Sequence, residues 1–166
     1  EVENESEKTS MVAVQGPKAA QAMLEIVDNV VEAPEASGAG ETVAEAIEGL
    51  GYYAAFQGIA AGQPVLVART GYTGEDGFEL FLPAASTAEA GDRGSAVWNT
   101  MLSAADEAGV ELTLCGLASR DSLRLEAGMP LYGNELDTGH QPHASGVGFD
   151  SREPQKAPGE RRIYSS

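Results

Sequence analysis

The feature that most constrains this chain is a glycine-rich segment that joins two alternating apolar stretches within residues 67–82. Alternation of apolar and polar residues is typical of strands with one buried face. The apolar residues at 65–68, and those at Phe78, Leu80 and Leu82, indicate two such strands. Between these stretches glycine, which adopts backbone conformations that other residues avoid, recurs at every third position: Gly71, Gly74 and Gly77. We therefore predict a strand, a tight turn and a second strand, with a turn backbone that is shaped around a ligand.

Two further motifs accompany this hairpin. Residues 12–19 read VAVQGPKA, and residues 115–137 read CGLASRDSLRLEAGMPLYGNELD. With the hairpin they resemble the aminomethyltransferase (T-protein) family of the glycine cleavage system, in the family's order and over about residues 11–137. The resemblance implies an enzyme that takes an aminomethyl group from the lipoyl arm of a carrier protein, the H protein. It also implies that ammonia is released and that the one-carbon unit passes to tetrahydrofolate.

The resemblance assigns three residues to folate binding. Glu79 is expected to grip the pterin, because a strand carboxylate can accept two parallel hydrogen bonds from an amino-pyrimidinone edge. The alternative is an exposed acid on the polar side of a strand. Tyr72 is suited to stack on the aminobenzoyl portion, or else it packs on its own hairpin. Arg120 is suited to a carboxylate or carbonyl of the ligand, or else it pairs with Asp121 or Glu126.

Other polar residues near these motifs are expected to have structural roles. Arg124 lies one helical turn beyond Arg120 and is interpreted as structural. Glu75 and Asp76 are expected to shape the turn or to order water. Cys115 is the one cysteine of the chain, and with no histidine near it in the sequence we expect a small buried residue rather than a nucleophile.

The two histidines suggest a metal site only superficially. His140 and His143 follow Asp137 within six residues. The ligand count is too small and the segment too irregular for a metal centre. We therefore expect solvated loop histidines and no bound metal.

The remaining periodicity predicts an α+β fold with a mostly antiparallel sheet and packed helices, an incomplete T-protein-like domain. Strands are predicted at residues 11–15, 52–59, 64–70, 78–82 and 111–114. Helices are predicted at residues 17–28, 42–48 with Thr42 as the cap, 95–107 after a loop at 89–94, and 117–127 with leucines that meet the core. In the first helix, three-and-four spacing indicates a buried face: Ala20, Met23, Leu24 and Val27. The expected domains are a polar, frayed segment at 1–10, the folate-binding region at 11–137 and an irregular, disordered tail at 138–166.

Composition limits the partners and the location of the chain. Its 166 residues carry a formal charge of −16 and three lysines, without a basic stripe that could bind nucleic acid. The acids are scattered, which favours a halophilic, haloarchaeal-like protein over one cationic partner, because concentrated salt screens repulsion. No apolar run is long enough to span a bilayer. The single cysteine suits a reducing interior and predicts a cytoplasmic protein.

The chain is expected to be a part of the enzyme without its catalytic residue. The chain opens without methionine and departs from the family after residue 137, so we expect the middle portion of a longer enzyme. No aspartate matches the motif of the family's catalytic aspartate, which the resemblance places upstream. No residue is therefore predicted to be catalytic, and the chain alone is expected to be inactive.

Three rival classes of function stay open beside the transferase. The first is a non-catalytic folate-binding module related to iron–sulfur protein maturation factors. The others are folate-dependent demethylation in a fused amine dehydrogenase and a remnant that binds nothing.

Overall fold

The computed structural model describes residues 2–139, which form two compact units. Of these residues, the first unit contains 2–71 and 76–113, and the second contains Tyr72–Glu75 and 114–139. The expected region 11–137 is thus shared between both units, and its boundaries stay a prediction. His140, His143 and the tail beyond residue 139 lie outside the described residues.

The first unit is built on a five-stranded sheet with the strand order β1-β5-β4-β3-β2. The strands are β1 (Thr9–Gln15), β2 (Val27–Glu32), β3 (Ala55–Ala60), β4 (Gln63–Ala68) and β5 (Gly77–Pro83). All neighbouring strands are antiparallel. The predicted α+β fold with an antiparallel sheet and packed helices is confirmed. Because β4 and β5 are neighbours, the glycine turn joins two inner strands, and β5 also pairs with β1.

One face of this sheet is buried against helices. The helices are α1 (Ala19–Leu24), α2 (Val43–Gly49) and α3 (Thr87–Glu107). Alternation along β5 places Phe78, Leu80 and Leu82 on the buried face, whereas Glu79 and Phe81 are half-buried. The helices and their connections add further buried apolar side chains, among them Met23, Ile26, Ile47, Leu50, Val97 and Met101. Removing these side chains from water is the main stabilising contribution to the unit.

The first helix is shorter than predicted, and a strand follows it. The predicted helix 17–28 is wrong beyond Leu24, because α1 ends there and β2 begins at Val27. The three-and-four spacing that suggested a longer helix continues into a stretch rich in β-branched residues, which favour strands. The predicted core position Val27 is nevertheless buried, as the first residue of a strand at the sheet edge.

Helix α3 begins eight residues before the predicted start at residue 95, so the predicted loop at 89–94 is wrong. Ser86 caps this helix by accepting a hydrogen bond from the backbone N–H of Glu89. Glu89 pairs with Arg93 one turn later at 2.6 Å. Gly94, which suggested a loop, lies where α3 approaches β1, and a Cβ there would lie 2.9 Å from Ser10. Close packing between elements explains this glycine inside a helix.

Three smaller predictions also need correction. Residues 110–116 contain no strand, and Val110 and Leu112 pack partly against the core instead. Strand β3 begins at Ala55 rather than at residue 52, because Tyr53 has a φ of 63°, which no strand accommodates. The N-terminal segment, expected to be frayed, contains a 3-10 turn at Ser6–Lys8 and leads directly into β1.

The second unit is organised around helix α4 (Leu117–Glu126), and it buries a charge rather than leucines. Arg124 is 3% exposed and forms ion pairs with Asp121 at 2.7 Å and with Glu135 at 2.8 Å. Its structural interpretation is confirmed. The expectation that the leucines of this helix meet the core is wrong. The exposed fraction is 85% for Leu117, 38% for Leu123 and 60% for Leu125. Hydrogen bonds from Arg124, led by the one to Asp121, raise its pKa.

The predicted cap of α2 generates a test of stability and pH. Thr42 and Glu45 form a capping box, in which Glu45 accepts hydrogen bonds from the hydroxyl and the backbone N–H of Thr42. The hydroxyl bond lowers the pKa of Glu45. A carboxyl group whose pKa is lowered by folding stabilises the folded state at pH values above 4.5, its ordinary pKa. This contribution is lost as the pH falls through the pKa that the group has in the folded state.

We therefore expect Thr42→Ala to lower the free energy of unfolding at pH 7 by about 1 kcal/mol in urea titrations. Thr42→Ser retains the hydroxyl and should match the original chain. The difference in the free energy of unfolding between the original chain and Thr42→Ala should be smaller at pH 3. A difference that is absent at pH 7, or that is larger in acid, would contradict this account of the cap.

Candidate functional site

Glu79 lies on the face of the sheet opposite the helices, between two alanines. The alternation of β5 points its side chain away from the core, and its exposure is intermediate. In register, Ala13 of β1 lies on one side of Glu79 and Ala68 of β4 on the other. Side chains of cross-strand partners stand close together on one face. Both neighbours of the half-buried carboxylate therefore carry only a methyl group, and Ala68 is itself 8% exposed.

The next row along the same face is apolar. Phe81, two residues after Glu79, is paired with Met11 on one side and with Leu66 on the other. Met11 is 51% and Leu66 is 40% exposed. This face therefore combines one carboxylate with an adjoining apolar surface, a combination typical of sites for flat heterocyclic ligands.

The carboxylate of Glu79 has one hydrogen-bond donor among residues 2–139. The hydroxyl of Thr70 donates a short hydrogen bond to Oε2 of Glu79. Oε1 accepts no hydrogen bond from the described residues. Because an ionised carboxylate offers about four lone-pair sites, three remain for a ligand that presents two parallel donors.

Gln15 holds the backbone on both sides of this pair. Its Nε2 donates to the backbone carbonyl of Thr70 at 3.1 Å and to that of Phe78 at 3.4 Å. Thr70 follows β4, and Phe78 directly precedes Glu79. One side-chain amide therefore fixes the end of β4 against the start of β5. Neither Gln15 nor Thr70 was predicted as a site residue; the signal available was the position of Gln15 at the strand end of the VAVQGPKA motif.

Glycine is required at the three positions of the turn for different physical reasons. Gly74 has a φ of 78°, the left-handed region in which other residues are strained. Gly71 and Gly77 have no such φ. A Cβ at Gly71 would lie 1.9 Å from Oε1 of Gln15, and a Cβ at Gly77 would lie 2.4 Å from the same amide group. The expectation of a special backbone at all three positions is therefore wrong, because two of them give room to the Gln15 side chain.

Arg69 and Asp76 hold the two ends of the turn together. The guanidinium of Arg69 donates two hydrogen bonds to the carboxylate of Asp76, at 2.9 and 2.8 Å. The hydrogen bond to Asp76 raises the pKa of Arg69. The same guanidinium reaches the C-terminal end of α2, where Leu50 offers its carbonyl at 2.9 Å, and it lies 5.3 Å from the ring centroid of Phe78. Asp76 therefore shapes the turn, one of the two roles expected for it.

Tyr72 and Arg120 contact each other in the second unit. The guanidinium carbon of Arg120 lies 4.6 Å from the ring centroid of Tyr72, a cation–π contact. The hydroxyl of Tyr72 donates to the backbone carbonyl of Pro130. Arg120 forms no ion pair with Asp121 or Glu126 among the described residues, and Asp121 pairs with Arg124 instead. The alternative of an ion pair between Arg120 and Asp121 or Glu126 is therefore wrong.

Other candidates are placed as follows. Cys115 is exposed, so the expectation of a buried cysteine is wrong. Within residues 2–139, no three of the potential ligands His, Cys, Asp and Glu lie together as a metal site would need. No described helix has the length and apolar character of a membrane span.

Comparisons with known proteins agree with the motifs. The family model described as "GCVT N-terminal domain" matches residues 1–151. A protein of Corynebacterium jeikeium named "Aminomethyltransferase" is 68% identical over 90% of this chain and 36% of its own length. Proteins of the same name from Cutibacterium acnes and Thermotoga neapolitana are 44% and 38% identical, over 89% and 90% of this chain and 35% and 34% of their own lengths. The chain thus spans about a third of the length of these relatives.

The contact between Gln15 and the turn glycines generates a prediction about packing. We expect Gly77→Ala to lower the free energy of unfolding by about 1–3 kcal/mol, because the new methyl group overlaps the Gln15 amide. In a Gln15→Ala background the same substitution should cost much less, since the two sites share one space. Urea unfolding of the four chains measures this coupling.

The control is Gly91→Ala in α3, where no atom lies within 4 Å of the new Cβ. It should raise stability by about 0.4–1 kcal/mol, because alanine restricts the unfolded chain. An equal cost of Gly77→Ala in both backgrounds would show that Gln15 does not require a glycine there.

Proposed function

Because this chain belongs to the GCVT N-terminal domain family, we propose that it provides the tetrahydrofolate-binding part of an aminomethyltransferase of the glycine cleavage system. Relatives that share up to 68% of its residues are named "Aminomethyltransferase". The proposed reaction moves a one-carbon unit from the aminomethyl-lipoyl arm of the H protein to tetrahydrofolate, with release of ammonia. The observation that carries the proposal is the half-buried carboxylate of Glu79 on the sheet face away from the helices, whose Oε1 accepts no hydrogen bond from the described residues.

The proposed role of Glu79 is to bind the amino-pyrimidinone edge of the pterin. That edge presents a ring N–H and an amino N–H side by side, and a carboxylate can accept both. Ala13 and Ala68 beside Glu79 carry only methyl groups, and Oε1 of Glu79 has no donor among the described residues, so the residues present fit this group. The row formed by Phe81, Met11 and Leu66 offers it an apolar neighbour.

Tyr72 and Arg120 are proposed, on the resemblance, to contact the aminobenzoylglutamate part of tetrahydrofolate. Two features of the second unit support these roles. The ring of Tyr72 is held in place by the Pro130 carbonyl and by the guanidinium over one of its faces. Arg120 is exposed and has no carboxylate partner among the described residues, so its planar fork can serve a ligand carboxylate.

The proposed task of the chain in the reaction is positioning. When bound, tetrahydrofolate supplies the nitrogen that accepts the one-carbon unit. Glu79 would orient the pterin, and orientation of reacting groups can supply several kcal/mol of the barrier. No described residue is proposed to be catalytic. A non-catalytic folate-binding module would use the same Glu79; ammonia release from aminomethyl-lipoyl H protein by a protein that contains this chain separates the two classes.

The central test of the proposal is Glu79→Gln. It should weaken the binding of tetrahydrofolate by about 1–3 kcal/mol, because a charge-assisted pair of hydrogen bonds is lost. The measurement is the dissociation constant of tetrahydrofolate, by calorimetry on the full chain. Glu75→Gln removes the same charge from an exposed position in the turn and should leave the constant unchanged. An unchanged constant for Glu79→Gln would remove this residue from the site.

Two further proposals concern the environment of the chain. We propose a cytoplasmic location from its single cysteine and adaptation to salt from its charge of −16. The free energy of unfolding should therefore rise between dilute buffer and about 2 M potassium chloride, where repulsion is screened over a few ångströms. Equal stability in both solutions would refute the halophilic character.

A further inference from the structure

Glu79 carries a flexible, half-buried side chain on the sheet face away from the helices. Its cross-strand neighbours are alanines, which cannot restrict its rotation by packing. A glutamate with several rotatable bonds loses conformational freedom when it is fixed, and this loss opposes ligand binding. A site that uses this carboxylate therefore gains affinity if another group fixes the side chain before the ligand arrives.

Thr70 is the residue that can fix it. Its hydroxyl donates to Oε2 of Glu79, and no other described residue donates to this carboxylate. A threonine side chain is branched at Cβ and therefore has few rotamers. The hydroxyl can thus hold the carboxylate in one orientation and still leave Oε1, and a second lone pair of Oε2, for a ligand.

Thr70 is itself held by residues distant in sequence. The amide of Gln15 donates to its backbone carbonyl and to that of Phe78, the residue before Glu79. Gly71 directly after Thr70 and Gly77 two residues before Glu79 provide the space for this amide. The hydroxyl donor and the carboxylate acceptor are therefore fixed relative to each other through one side chain of β1.

We infer that Thr70 is a positioning residue, which orients the Glu79 carboxylate toward the pterin edge, and that Gln15 holds Thr70 in place for this purpose. The inference rests on the proposed function of Glu79. Thr70 acts through Glu79 and does not itself contact the ligand. Its removal should therefore weaken pterin binding only in a chain that retains Glu79.

The test compares Thr70→Val, which keeps the shape but lacks the hydroxyl, with Thr70→Ser, which keeps the hydroxyl. The probes are tetrahydrofolate and a 6-methyl-tetrahydropterin that lacks the aminobenzoylglutamate tail. Thr70→Val should raise the dissociation constants of both by about tenfold, the effect of one hydrogen bond to a charged group. Thr70→Ser should stay within about threefold of the original chain. Thr100→Val, an exposed position on α3, is the matched control and should change neither constant.

A double-mutant cycle with Glu79→Ala separates positioning from a general structural effect. If Thr70 acts through Glu79, Thr70→Val should cause no further loss in the Glu79→Ala background. Equal losses in both backgrounds, or an unchanged constant for Thr70→Val alone, would overturn the inference and leave the proposed function intact. An unchanged constant for Glu79→Ala would instead overturn the proposed function. If Thr70→Val does not fold, as judged by thermal unfolding, Thr70→Ala completes the cycle.

Discussion

The amide of Gln15 lies between the end of β4 and the start of β5 and donates to a carbonyl on each strand. This contact determines where Thr70 and Glu79 stand relative to each other, and it requires glycine at two positions of the turn. A longer residue at Gly71 or Gly77 would displace the amide and with it the pair that depends on the amide. The glycine-rich turn is therefore in large part a consequence of one side chain on a neighbouring strand.

A second contact complements the first at the other side of the turn. Arg69 binds Asp76 through two hydrogen bonds and also binds the Leu50 carbonyl at the end of α2. Carbonyls at a helix C-terminus lack partners within the helix and attract a cation. The turn ends are thus tied both to each other and to a helix of the first unit. Together the two contacts give the first unit a rigid support for the half-buried carboxylate of Glu79, which is what a binding site needs.

The sequence predicted those features that depend on local pattern. Apolar residues followed by a glycine turn indicated β4, and the Thr42 cap indicated α2. Alternation indicated β5 and placed Glu79 on its polar side. It failed where distant residues decide the structure. Gly94 lies inside a helix because α3 packs closely on Ser10 of β1. Gln15 and Thr70 were not predicted because their hydrogen bond joins residues 55 apart in the chain. The cation–π contact of Arg120 with Tyr72 likewise joins two separated motifs.

The most direct measurement is a crystal structure of this chain with bound tetrahydrofolate. The account predicts that both carboxylate oxygens of Glu79 lie about 2.6–3.2 Å from nitrogen donors of the pterin, with the Thr70 hydroxyl still bound to Oε2. A pterin bound elsewhere on the chain, or a Glu79 side chain that turns away from the ligand into solvent, would contradict it.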